Sequence, residues 1–167
     1  MSTAYAPGEW KDLFVAMAGA SAALAGLLFV AVSINVERIV SYKGLPERGM
    51  ETLALLLTVL VVSIAGLMPG QSHVAFGLEL LGIAAVLLAT LLALPVTHEL
   101  PTDADAPPAW LASRRLVRLT GLVLLALAGL SDLLAFGGGL YWMAAGFVFL
   151  TLGAVANAWV LLIEILR

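Results

Sequence analysis

The chain has 167 residues and a net charge of −3; 62% of its residues are hydrophobic and only 11% are charged, against about a quarter charged in a soluble domain. A chain of 17.4 kDa has too little interior to bury that much apolar surface in water, so lipid is the solvent that suits it. The absence of cysteine excludes disulfides and thiolate chemistry, and eight scattered Lys and Arg are too few for a nucleic-acid footprint.

In chain order, the amino-terminal MSTAYAPGEW lacks a basic n-region, and the apolar stretch behind it is too long for the h-region of a cleavable signal. Five stretches approach the roughly 20 apolar residues that a spanning helix needs. They run from about Leu13 to Val36, Leu53 to Met68, Val74 to Val96, Leu116 to Phe136 and Leu140 to Leu166. Pro69-Gly70-Gln71-Ser72 predicts a tight turn and an antiparallel hairpin of the second and third segments. Gly137-Gly138-Gly139 predicts the junction of the fourth and fifth. Residues 97–113, with Pro101, Pro107, Pro108, Asp103 and Asp105, read as a solvated loop.

The expected fold is therefore all-α: a polytopic bundle of five transmembrane spans forming one domain. Arg38, Lys43, Arg48, Arg114, Arg115, Arg118 and Arg167 then share one side and only Lys11 the other. The positive-inside rule puts the seven in the cytoplasm, the amino terminus outside and the carboxyl terminus cytoplasmic. Trp10, Tyr141 and Trp142 fall at the outer interface, and Tyr42, Trp110 and Trp159 at the inner one. A four-span arrangement with one re-entrant segment would split the basic loops across both sides.

Small residues mark helix contacts in lipid because they let backbones approach. At 100° per residue, Gly19, Ala22, Ala23, Gly26, Ser33 and Glu37 share one stripe of the first helix. Gly146, Gly153, Asn157 and Glu164 share one of the fifth. The equal spacing predicts neighbouring parallel helices, within one chain or across an oligomer. On the plainer reading these are ordinary helix contacts, with Glu37 and Glu164 paired to Arg38, Arg48 or Arg167.

Ionisable groups inside a span are costly and mark candidate sites. Glu79 stands about five residues into the third segment, and Asp132 about 16 residues into the fourth, sharing a stripe with Gly121 and Ala128. Both belong to the outer half, near Glu9 and Asp12, with Lys11 as the nearest fixed cation. Together they suggest a cation-attracting vestibule. The alternative is that Glu79 is protonated or bonded to a neighbouring helix and Asp132 is exposed. Asn157 needs a polar partner, and an interhelical hydrogen bond is preferred to a place in a permeation path. His73 and His98 fall on opposite sides of the membrane and cannot share a metal or haem. The D-x-D of Asp103 and Asp105 reads as loop. No catalytic motif is present, so no enzyme, cofactor or metal is expected.

GASAALAGLLFVAVSIN at 19–35, GGGLYW at 137–142 and NAWVLLIEILR at 157–167 resemble a group of small, functionally uncharacterised bacterial membrane proteins. The resemblance implies a bacterial inner membrane and a similar multi-span fold, and brings no activity or site. Two functions are expected candidates. One is a homo-oligomeric pore or transport protein for small cations or protons, with Glu79 and Asp132 attracting the ion and Asn157, Glu164, Glu37 and Ser33 along the path or at helix contacts. The other is an accessory or scaffold subunit that binds another membrane protein, the polar residues acting as helix glue. A protein whose basic loops touch anionic headgroups is a third reading.

Overall fold

The computed structural model describes residues 3–42, 44–94 and 108–166, with backbone alone for 108–115 and 164–166. Two 3₁₀ turns, Thr3–Tyr5 and Pro7–Trp10, lead into six α-helices. These are α1 (Lys11–Ile34), α2 (Val36–Ser41), α3 (Leu45–Gly66), α4 (His73–Ala93), α5 (Pro108–Leu134) and α6 (Leu140–Leu166). All but α2 are long and apolar enough to cross a membrane.

Local chemistry explains most of the boundaries. Asn35 leaves the helical region, at φ −115° and ψ 20°, and its side-chain Nδ2 donates to the Ala31 carbonyl at 2.9 Å. The chain then restarts as α2, so Ser33 and Glu37 lie on two helices rather than on one continuous stripe. Gly44, at φ +92°, opens α3 with Pro46 in its first turn, where a missing N–H costs nothing. The helix therefore begins eight residues before Leu53 (53 − 45), where apolarity alone would start it, and takes in Glu47, Arg48 and Glu51. Residues 108–113, expected as loop, are the first turns of α5; Asp103, Asp105 and His98 lie outside the described residues.

The turn at 69–72 carries Gly70 at φ +72°, and the Ser72 hydroxyl caps α4 by accepting from Ala75 N at 3.2 Å. At the other junction α5 ends in a Schellman motif: Phe136 N donates to Ser131 O at 3.1 Å and Ala135 N to Asp132 O at 3.3 Å. Ala135 holds φ +50° there, a region that costs an L-residue about 1–2 kcal/mol and glycine little. Ala135→Gly is expected to stabilise the protein by about 1 kcal/mol, read as a shift in thermal unfolding in detergent.

The contacts define two ends of the bundle. At the turn end, Trp10 packs edge-on against Tyr141 with centroids 4.9 Å apart, and Phe14 against Phe76 at 5.6 Å. Tyr5 Oη accepts from Gly138 N at 3.1 Å, so the amino-terminal turns cover the α5–α6 junction. At the charged end, Ile39 of α2, Leu45, Val160 and Leu161 form a small cluster of their own. Between the ends the core is Leu55, Val59, Leu80, Leu125, Phe147 and Leu150, all essentially closed off. Buried hydroxyls bond back up their own helices, Ser21 to Met17 O and Ser63 to Val59 O, because an apolar interior offers no water to replace that partner.

Glycines set the closest approaches. A Cβ on Gly77 of α4 would lie 2.8 Å from the Gly129 carbonyl of α5, and one on Gly129 2.9 Å from the Gly77 carbonyl. A Cβ on Gly121 of α5 would meet Leu150 of α6 at 2.8 Å. By contrast α1 is peripheral: 17% of its apolar window is buried, against 50% for α3.

Candidate functional site

Two buried polar sites stand at opposite ends of one face of α5. Arg118, Gly121, Leu125, Ala128 and Asp132 recur at three- and four-residue spacing, which keeps them on one side of a helix. Gly121, Leu125, Ala128 and Asp132 are buried and Arg118 partly so. The 14 residues from Arg118 to Asp132 span about 21 Å at 1.5 Å each. Between the two charged groups the inward stripe holds glycine, leucine and alanine.

At the charged end, Arg48, Thr52, Leu55, Leu56 and Val59 form the buried face of α3, and Glu51 lies beside it. Gly153 of α6 leaves room for Leu55 and for the stem of Arg118, whose Cγ would be 3.6 Å from a Cβ placed there. The stem crosses α6 at that gap and delivers Nη1 to Glu51 Oε1 as an ion pair. One turn beyond Gly153, Asn157 Nδ2 donates to the same Oε1 at 2.9 Å. Glu51 thus ties α3, α5 and α6 through one oxygen. Glu51 is 13% exposed and Arg118 24%, so both charges are largely withdrawn from solvent, where a charge-assisted bond is strong and an unmade one costly. The neighbouring Thr52 hydroxyl bonds to Arg48 O at 2.8 Å.

At the turn end, Asp132 is 0% exposed, and neither carboxylate oxygen has a hydrogen-bond partner among the described residues. Its backbone carbonyl is better served. His73 Nδ1 stands 3.0 Å from it, and since a carbonyl only accepts, His73 carries its proton on Nδ1. This bond joins the start of α4 to the end of α5, beside the Gly77–Gly129 contact. Ser131 Oγ accepts from Gly139 N at 2.8 Å and donates to the Phe136 carbonyl. Trp142 Nε1 donates to Gly137 O at 2.6 Å. The triple-glycine turn, at φ +90°, +110° and +52°, is thereby held at each of its residues.

The remaining sequence-predicted residues are placed as follows. Glu79 is half-buried and accepts from Gln71 Nε2 at 2.5 Å. Its neighbours two residues away, Gly77 and Leu81, face Gly129; two residues is 200° on a helix, which turns Glu79 away from α5 and so from Asp132. The two acids share an end of the bundle and not a face. Gly146 and Gly153 are buried against α5 and α3. Gly19 and Gly26 have nothing within 4 Å of a Cβ built on them, and Ala22, Ala23, Ser33 and Glu37 are exposed with them. Within the chain the two small-residue stripes therefore do not meet: the stripe of α6 points inward and that of α1 outward. The Glu164 side chain lies outside the described residues.

Glu51, Arg118 and the Gly77–Gly129 pair are the residues that sequence reasoning missed. Gly44-Leu45-Pro46 is a legible helix start, and the buried period of α3 runs back through Thr52 to Arg48, so the inclusion of Glu51 in the span was readable. Its partners on two other helices were not. Among the described residues no three His, Asp or Glu side chains come together as a metal-ligand set. Comparison with protein-family models, curated proteins and solved structures returned no match.

Proposed function

We propose that this is a multi-pass inner-membrane protein, with its amino terminus outside and its charged end cytoplasmic, that works as an accessory subunit by binding a transmembrane helix of another chain along α1. The observation that carries this reading is the open face of α1. Gly19, Ala22, Ala23 and Gly26 form a smooth strip directed away from the bundle, on the least buried of the five long helices. In lipid, large apolar side chains are as comfortable outside as at an interface, so a run of small residues on an outward face gains nothing unless another backbone comes close. The polar residues support the same reading, since Glu51, Arg118 and Asn157 are engaged with one another inside the chain. A cation path lined by Asp132 and Asn157 would have to cross the Gly121, Leu125 and Ala128 stretch of α5, which offers no polar group.

The chain contains no cysteine, so single cysteines report contacts cleanly. Gly19→Cys, Ala22→Cys and Gly26→Cys in native membranes are expected to cross-link through α1 to a larger membrane protein; cross-links to a second copy alone would favour the homo-oligomeric reading instead. Gly26→Leu is expected to weaken that association about tenfold, a loss of about 1.4 kcal/mol, while the fold is kept. Absence of cross-links from all three positions, with the protein inserted and folded, would remove the accessory reading.

A further inference from the structure

We propose that the Asp132 carboxyl is a binding site for one small monovalent cation, a proton or a sodium ion, enclosed in the turn end of the bundle. This does not rest on the accessory role of α1.

Two features place an unneutralised carboxylate at a disadvantage there. The side chain is closed off completely, and both of its oxygens lack a hydrogen-bond donor among the described residues; a bare charge in such surroundings is among the costliest groups a protein can hold. It stands in the last turn of α5, where the helix dipole presents its negative end. The start of α4 is close by, and its dipole favours an anion, yet it supplies no N–H within bonding distance. A single positive charge delivered to the carboxyl resolves both.

The titratable groups around it leave that role open. From α4 comes His73, whose Nδ1–H is committed to the Asp132 carbonyl; its ring is near enough to act on the carboxyl through space when charged, but gives it no hydrogen bond. Glu79, also on α4, is turned away and bonded to Gln71. From α6 the titratable group in residues 140–163 is Tyr141, exposed and packed on Trp10. From the amino-terminal turns comes Tyr5, engaged with Gly138 N. No second carboxylate joins Asp132 in a ligand set among the described residues, which makes the proton the simpler occupant and sodium the alternative within the same chemistry.

The test is infrared spectroscopy of the purified protein in phosphatidylcholine bilayers, wild type against Asp132→Asn, in choline buffer and in sodium buffer near neutral pH. A carboxylic-acid carbonyl band present in wild type in both buffers, and missing from Asp132→Asn, identifies a proton. A carboxylate band that shifts saturably with sodium, again only in wild type, identifies sodium. Neither an acid band nor a sodium-dependent shift that depends on Asp132 overturns the proposal. Should Asp132→Asn fail to fold, ¹³C-aspartate labelling of the Asp12→Asn/Asp103→Asn/Asp105→Asn variant, which keeps Asp132 as its one aspartate, assigns the band to Asp132 and gives the same three outcomes.

Discussion

Arg118→Ala is expected to destabilise the protein by about 2–3 kcal/mol, somewhat below the 3–5 kcal/mol typical of a broken, fully buried ion pair. The reduction reflects the 24% exposure of Arg118, which leaves part of its charge solvated. The cost arises from what remains. Glu51 keeps its place between α3, α5 and α6 with only the Asn157 amide on its Oε1. Removing both charges removes that problem, so Glu51→Leu/Arg118→Leu should be markedly more stable than the sum of the single changes, with a coupling of about 1–3 kcal/mol. Asn157→Leu, which removes the hydrogen bond to Glu51, is expected to cost about 1 kcal/mol. Unfolding in mixed micelles, followed by far-ultraviolet circular dichroism, measures Glu51→Leu, Arg118→Leu and their double variant for the coupling, with Arg118→Ala and Asn157→Leu alongside. Additive single and double effects would mean that the pair is an accident of proximity.

Gly77→Ala and Gly129→Ala are each expected to cost about 1–3 kcal/mol, the usual range for forcing extra methyl groups into a packed contact. Each new Cβ would come within 3 Å of a backbone carbonyl on the facing helix, and a carbonyl in a helix has no rotamer by which to escape. The helices must separate, and the His73–Asp132 bond one turn away is the next contact to lengthen. Gly19→Ala and Gly26→Ala provide the control. Nothing lies within 4 Å of either new methyl group, so the single chain should lose no stability and gain up to about 1 kcal/mol from the better helix former. Equal costs at all four glycines, measured in the same micelles, would sink this account of how α4 and α5 pack.

That contrast marks where the sequence stops being readable. Composition alone requires lipid. Five apolar runs, with Pro69–Ser72 and Gly137–Gly139 between them, yield five long helices whose ends are mostly within a few residues of expectation. The exceptions have local causes. Glu47, Arg48 and Glu51 look like loop residues because charge is disfavoured in lipid, yet Gly44 and Pro46 start the helix before them and partners elsewhere make their burial tolerable. Asn35, inside an apparently continuous span, breaks α1 and separates Ser33 from Glu37.

Periodicity placed Gly19 and Gly26 on one stripe and Gly146 and Gly153 on another, and both stripes exist. Which of them faces the bundle could not be read from the pattern, because a glycine on a helix looks the same whether a neighbouring backbone or a lipid lies against it. Likewise Glu79 and Asp132 were visible as intramembrane acids, while their separation onto different faces depends on how α4 rotates about the Gly77–Gly129 contact. The sequence by itself determined the number of long apolar helices and most of their boundaries, since these follow from local hydrophobicity and turn chemistry. Only the tertiary structure decided that Glu51 meets Arg118 and Asn157, that the Asp132 carboxyl is enclosed with no hydrogen-bond partner among the described residues, and that α1 keeps an open face, since these depend on the rotation and contact of helices far apart in the chain.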